Sequence, residues 1–165
     1  MAAYEAAGVT DEWHTPKYIF TALDVLFDLD PAAPTGGPRY APVRSWITKD
    51  EDGLATPWKG CVWLNPPFGH QKQKRLWLSK FFQHGDGIVL VPDRTSAPWF
   101  QEYAPRAHRI LWVSPKIKFE RENGSVGGSP GTGTALLALG DRASDALEWA
   151  DGVLGFVTKA EGKQK

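Results

Sequence analysis

Apolar positions along the chain form short runs cut by proline, glycine and charged residues, and the runs alternate between a helical and a strand-like period. Asp11 and Thr15 are both candidate N-caps, Pro16 suits a first helical position, and Ile19, Phe20, Leu23 and Leu26 follow at helical spacing, which predicts a helix over residues 16–25. Phe27-Asp28-Leu29-Asp30 alternates as a short strand and runs into a loop broken by Pro31, Pro34, Gly36, Gly37 and Pro38. A second short strand is expected over residues 45–48, followed by a polar turn over 49–53. Cys61-Val62-Trp63-Leu64 has the composition of a buried strand, stopped at Asn65-Pro66-Pro67 because proline donates nothing to a ladder and restricts its predecessor.

The alternation continues with a helix over 72–83, an apolar strand over 88–91, a short helix over 97–103, a strand over 110–113 and a final strand over 135–139. Strands alternating with helices predict an α/β layer architecture with a mostly parallel sheet. In such sheets ligands bind outside the carboxyl ends of the strands, where Asp30, Asn65 and Asp93 would fall along one edge. The glycine-rich stretch over 124–133 lacks the lysine-serine ending of a phosphate-binding loop and reads as a flexible connection.

Composition narrows this picture. A length of 165 residues with 42% hydrophobic positions fits one domain, expected over 11–157 between a loose N-terminus (1–10) and a loose C-terminal tail (158–165). Nineteen basic residues balance nineteen acidic ones, so a polyanion would have to be held by a local patch. One cysteine leaves no disulfide framework and no thiolate metal site, pointing to a reducing, cytoplasmic compartment. No stretch approaches the ~18 apolar residues of a membrane span, so no membrane partner is expected. His14 and His70 lack the carboxylate or cysteine spacing of a zinc site, and no metal is expected.

The chemistry concentrates at Asn65-Pro66-Pro67-Phe68. An amine conjugated to a ring or a carbonyl is a poor nucleophile because its lone pair is delocalised. The Asn65 side-chain oxygen and the Pro66 carbonyl would each accept one of its two N–H bonds, favouring the tetrahedral nitrogen that attack requires. The two prolines stiffen the loop, and Phe68 offers a face on which an extruded base would stack. The competing reading is an ordinary tight turn with an exposed aromatic. Cys61, predicted inside a strand, is badly placed as a nucleophile, which disfavours a covalent mechanism.

Several blocks, in order, carry a resemblance. They are Asp11-Glu12-Trp13-His14-Thr15-Pro16, Phe27-Asp28-Leu29-Asp30-Pro31-Ala32-Ala33, Asp52-Gly53-Leu54, Cys61 through Gly69, Val91-Pro92-Asp93-Arg94-Thr95 and Pro115-Lys116-Ile117-Lys118-Phe119. From about Asp11 to Gly140 the chain resembles the phage-type Dam-like DNA N6-adenine methyltransferases, a branch of the class I S-adenosylmethionine-dependent enzymes. The resemblance implies a reduced Rossmann-like sheet, mostly parallel with an antiparallel last strand and helices on both faces. It further implies S-adenosylmethionine as cofactor and adenine in DNA as substrate. Trp13, Thr15 and Pro16 look like the segment lining the methionine end of the cofactor, and Asp30, with Ala32 in the same block, like the strand end placed against it. Asp52 would lie near the edge of the base.

The glycine-rich fingerprint common after the first strand of this fold is missing, and Asp30-Pro31-Ala32-Ala33-Pro34 replaces it only in part. Sequence preference would have to come from the loops over 31–44 and 120–133. Lys72, Lys74 and Arg75 form a basic cluster that would hold DNA phosphates, unless it is simply a solvated helix face. Arg94, Lys116 and Lys118 stand near predicted strand ends in the same sense, and Phe119 is a candidate second slab against the base. Methylation of cytosine N4 or of a protein glutamine poses the same chemical problem, and a non-catalytic DNA-binding module keeping the fold is the alternative of another class.

Overall fold

The computed structural model describes residues 13–67, 71–128 and 131–160; Phe68, Gly69 and His70 lie outside them, as do the expected loose N-terminus and the last residues of the expected tail. Along the chain come α1 (Lys17–Leu23), β1 (Phe27–Ala33), β2 (Val43–Thr48), a 3-10 turn (Lys49–Glu51), β3 (Val62–Leu64), α2 (Gln71–His84), β4 (Gly87–Pro92) and α3 (Pro98–Tyr103). A second 3-10 turn (Ala104–Arg106), β5 (Arg109–Val113), β6 (Thr134–Leu139), α4 (Asp141–Trp149) and β7 (Gly155–Lys159) complete it.

The strands form one sheet in the order β2-β1-β3-β4-β6-β5-β7. β1 pairs in parallel with β2 and β3, and β3 with β4, so their carboxyl ends share one edge. β6 runs antiparallel to both β4 and β5, and β7 antiparallel to β5. The last strand, β7, runs antiparallel as the resemblance implied. Two strands run against the rest, and the first of them is inserted between β4 and β5.

Alternation explains the two cores. On one face Val62, Leu64, Val89, Val91, Ala135 and Leu137 meet Trp77, Leu78 and Phe81 of α2 and Trp99 and Phe100 of α3. On the other, Trp63, Ile88, Leu90, Leu136 and Ala138 meet Ile19, Phe20 and Leu23 of α1 and Ala143 and Leu147 of α4. Strands covered on both sides read as continuous apolar runs, as β3, β4 and β6 do.

Three expectations shift. β1 does not stop at Asp30 but continues through Pro31 to Ala33, because the pairing with β2 slips between Asp30 and Ala33 and a proline is tolerated at such an irregularity. Residues 135–139 are not the final strand, since α4 and β7 follow, and β7 reaches Lys159, two residues into the expected tail. Part of the glycine-rich connection is a small hairpin, in which Arg121 donates to Ser125 (2.8 Å) and Gly127 to Phe119 (3.0 Å) through backbone amides.

Candidate active site

The ends of β1 and β3, the loops after β1 and β2, and the segment before α1 enclose a cleft of about 680 Å³, a size common to small-molecule sites. Trp13, Thr15, Asp30, Ala32, Asp52, Asn65, Pro66, Pro67 and Phe119 all line it. Residues separated by more than a hundred positions in sequence thus meet in one concavity.

Asn65 follows β3 directly. Its side-chain nitrogen donates to Thr15 Oγ1 at 3.4 Å, while its Oδ1 is buried and has no partner among the described residues. A buried acceptor left unpaired is costly, and it offers a ready position for an N–H donor of a ligand. Pro66 is buried and Pro67 exposed, so the loop turns outward there. Thr15 is carried to Asn65 by a two-way backbone pairing of its neighbour, His14 N to Glu120 O (2.8 Å) and Glu120 N to His14 O (3.0 Å).

Asp30 is 4% exposed and accepts the Ala32 amide at 3.1 Å. Burial pushes its carboxyl up to about 7, against the opposing effect of that hydrogen bond. Asp52 follows the 3-10 turn with φ 52°, a left-handed backbone that aspartate tolerates because its own Oδ1 accepts the Leu54 amide at 3.1 Å. Gly53 must be glycine, since a Cβ there would collide with the carbonyl oxygen of Pro31.

A second wall was not apparent from the sequence. Arg39 donates to the carbonyls of Arg121 (3.0 Å) and Glu122 (2.5 Å), and the Tyr40 hydroxyl donates to Glu120 Oε1 (3.2 Å). The Arg121 guanidinium lies 4.9 Å from the Trp13 ring centre, and His14 Nε2 meets Glu122 Oε2 at 2.8 Å. The loop after β1, the hairpin after Phe119 and the segment before α1 are thereby joined over the cleft, with Arg39 and Tyr40 lining it. Gln73 and Trp77 of α2 also line it, and the Trp77 indole N–H is buried without a partner among the described residues. Backbone carbonyls as partners leave no motif; the orphaned indole is visible only once the chain is folded.

The remaining candidates stand elsewhere. Pro16 is buried at the N-cap of α1, and Asp93, at the end of β4, donates its backbone amide to Gly133 O (3.1 Å) outside the cleft lining. Lys72, Arg94, Lys116 and Lys118 are exposed, Lys74 is buried with its ammonium 4.7 Å from the Trp99 ring centre, and Arg75 pairs with Glu102 of α3. Cys61 is 1% exposed, and burial pushes its thiol up to about 12. Phe68 and His70 lie outside the described residues. Among the described residues no group of three or more His, Cys, Asp or Glu could hold a metal, and no helix is long and apolar enough to cross a membrane.

A sequence profile of the family described as DNA N-6-adenine-methyltransferase (Dam) matches residues 4–141. A DNA N-6-adenine-methyltransferase of Escherichia phage T1 is 28% identical over 116 residues, covering 66% of this chain and 47% of the relative. The chain thus spans about half the length of that curated relative. No solved structure matches.

Proposed function

The chain belongs to the DNA N-6-adenine-methyltransferase (Dam) family, and from that premise we propose that it transfers a methyl group from S-adenosylmethionine to the exocyclic N6 of adenine in DNA, acting in the cytoplasm. The observation that carries this reading is the buried, unpartnered Oδ1 of Asn65 at the rim of β3, an acceptor waiting for a donor in a cleft of ligand size. The sheet order with helices on both faces supports a Rossmann-like, class I methyltransferase architecture.

The donor set fits the cofactor. A buried carboxylate suits an ammonium or a pair of ribose hydroxyls, so Asp30, with Ala32, Trp13 and Thr15 beside it and Pro16 behind, would hold the cofactor's polar parts, and Asn65 would border both ligands. Bound there, S-adenosylmethionine supplies an electrophilic methyl group. Asn65 Oδ1 and the Pro66 carbonyl accept the two N–H bonds of the adenine amine, so that its lone pair is free to attack. Pro66 and Pro67 hold both acceptors before the base arrives, and Phe68 stacks on the extruded ring. Asp52 and Phe119 border the base. The methylated nitrogen is strongly acidic and loses its proton to solvent, so no side-chain base is required. Exposed Lys72, Arg94, Lys116 and Lys118 contribute phosphate contacts, and Arg75, paired with Glu102, contributes less.

Incubation with tritiated S-adenosylmethionine and defined DNA, followed by nucleoside analysis, tests this. Labelled N6-methyladenine is expected; label only in N4-methylcytosine, or saturable cofactor binding with no product, would overturn it.

A further inference from the structure

Lys80 stands on α2 at the same helical stripe as Gln73 and Trp77, seven and three residues before it, but behind the cleft wall rather than in its lining. Its ammonium donates to three backbone carbonyls of one loop: Gly53 (3.2 Å), Leu54 (2.7 Å) and Thr56 (2.6 Å). An ammonium has three N–H bonds, and all three are used. The same ion lies 5.0 Å from the ring centre of Trp58, whose indole N–H donates to Gly53 O at 2.8 Å. Trp58 in turn stacks on Trp77, 6.3 Å between centres and 22° between planes.

These contacts converge on the loop that carries Asp52 and Gly53 into the cleft. Gly53 is jammed against the Pro31 carbonyl on one side, next to Asp30, and is gripped by Lys80 and Trp58 on the other. Turns made only of carbonyls facing inward would otherwise need water or a helix end to satisfy them. A partly buried lysine loses hydration when it takes that role, an expense that packing alone would not call for.

We propose that Lys80 is a positioning residue of the active cleft. From behind the wall it fixes the Gly53, Leu54 and Thr56 carbonyls, so that Asp52 and Gly53 hold their places against Pro31 and Asp30, and it thereby sets cofactor affinity without touching the cofactor. This rests on the reading of the Asp30 side as the cofactor side.

The test begins with wild-type protein and S-adenosylhomocysteine in a calorimeter; absence of saturable heat there counts against the cofactor reading itself. Given binding, Lys80→Met is expected to raise the KM for S-adenosylmethionine by about 5- to 50-fold, with kcat within about two-fold and a smaller rise in the KM for DNA through Asp52, as a displaced wall rather than a lost catalytic group predicts. Lys80→Arg, which keeps the donors, should recover most of the shift. Ile88→Val, which trims a fully buried side chain on the opposite face of the sheet at a cost of about 0.5–1.5 kcal/mol, serves as a destabilised control and should leave both KM values in place. Hydrogen exchange of residues 53–56 should quicken in Lys80→Met and not in that control. If Lys80→Met does not fold, Trp58→Phe removes the indole bond to the same Gly53 carbonyl and should shift the cofactor KM in the same direction. An unchanged cofactor KM in a folded Lys80→Met, a rise confined to the DNA KM, or an equal shift in the control would each overturn the assignment.

Discussion

Asn65 donates its side-chain amide to Thr15 Oγ1 across 3.4 Å and fifty residues of sequence, which turns its Oδ1 into a buried acceptor with no partner among the described residues. The threonine therefore orients the amide, and the orientation leaves the functional atom open. Asn65→Ala should lower the methylation rate by about 10²-fold or more, the cost of an oriented hydrogen-bonding group in a transition state. Asn65→Asp keeps acceptor oxygens and lets the Thr15 hydroxyl donate instead, so it should retain more activity than alanine. Thr15→Val should fall between wild type and Asn65→Ala in kcat. Steady-state rates for the four proteins check the order, and wild-type turnover by Asn65→Ala would remove the mechanism.

Asp30 makes the cleft sensitive to pH. Its carboxyl, raised to about 7 by burial, stays protonated in the folded protein where the unfolded chain, near the ordinary aspartate value of about 4, is already ionised. A raised folded pKa stabilises the fold fully below the unfolded value and loses that contribution as pH climbs through the folded one. The ligand-free protein should therefore lose stability between about pH 4 and pH 7 through this group, and Asp30→Asn should flatten that part of a Tm-against-pH curve. If the ionised form is what binds an ammonium or ribose hydroxyls, cofactor affinity rises over the same window, and binding below pH 7 releases a proton. Calorimetry in buffers of different ionisation enthalpy measures that proton directly.

Much of this fold was legible because its strands are covered on both faces. β3, β4 and β6 read as unbroken apolar runs, and helices between them place Asp30 and Asn65 at one edge. The misses have physical causes. α4 with its C-cap packs through Ala143, Ala146, Leu147 and Ala150, a stripe in which only Leu147 is large, and β7 is an edge strand with an exposed Phe156. The extension of β1 past Pro31 depends on a slipped register that local rules do not foresee. Arg39 and Lys80 act on carbonyl oxygens, which every residue possesses, so no spacing of side chains betrays them.

Gly53→Ala tests how tightly the two halves of the cleft are fitted. The new methyl group would meet backbone at the Pro31 carbonyl, which cannot swing away as a side chain would, and the ring of Trp77 at 3.1 Å. Overpacking of this kind costs about 1–3 kcal/mol. Chemical denaturation should show a loss in that range, together with weakened cofactor binding; a variant as stable as wild type would mean that the loop moves freely.

Cys61 separates amine activation from covalent catalysis. With the thiol 1% exposed and pushed up to about 12, hardly any thiolate exists at neutral pH. Alkylation by iodoacetamide should proceed only as fast as the protein unfolds, and Cys61→Ala should keep the wild-type methylation rate with a modest loss of stability. Rapid labelling of the native protein with parallel loss of activity would reverse that conclusion.

The basic residues outside the cleft should differ in what they give to DNA binding. Lys72 and Lys118 are exposed, whereas Arg75 is turned to Glu102 on the neighbouring helix. A lysine that neutralises a phosphate on duplex DNA contributes about 0.9 to the slope of log affinity against log salt, because a condensed counterion is released. Lys72→Ala and Lys118→Ala should each reduce the slope by about that amount and weaken binding to all sequences alike. Arg75→Ala should change the slope less, because its charge is already partnered, and Glu102→Ala should raise affinity by setting that charge free. Fluorescence anisotropy across a salt series measures all four, and equal slopes for Arg75→Ala and Lys72→Ala would mean that the ion pair opens whenever DNA arrives.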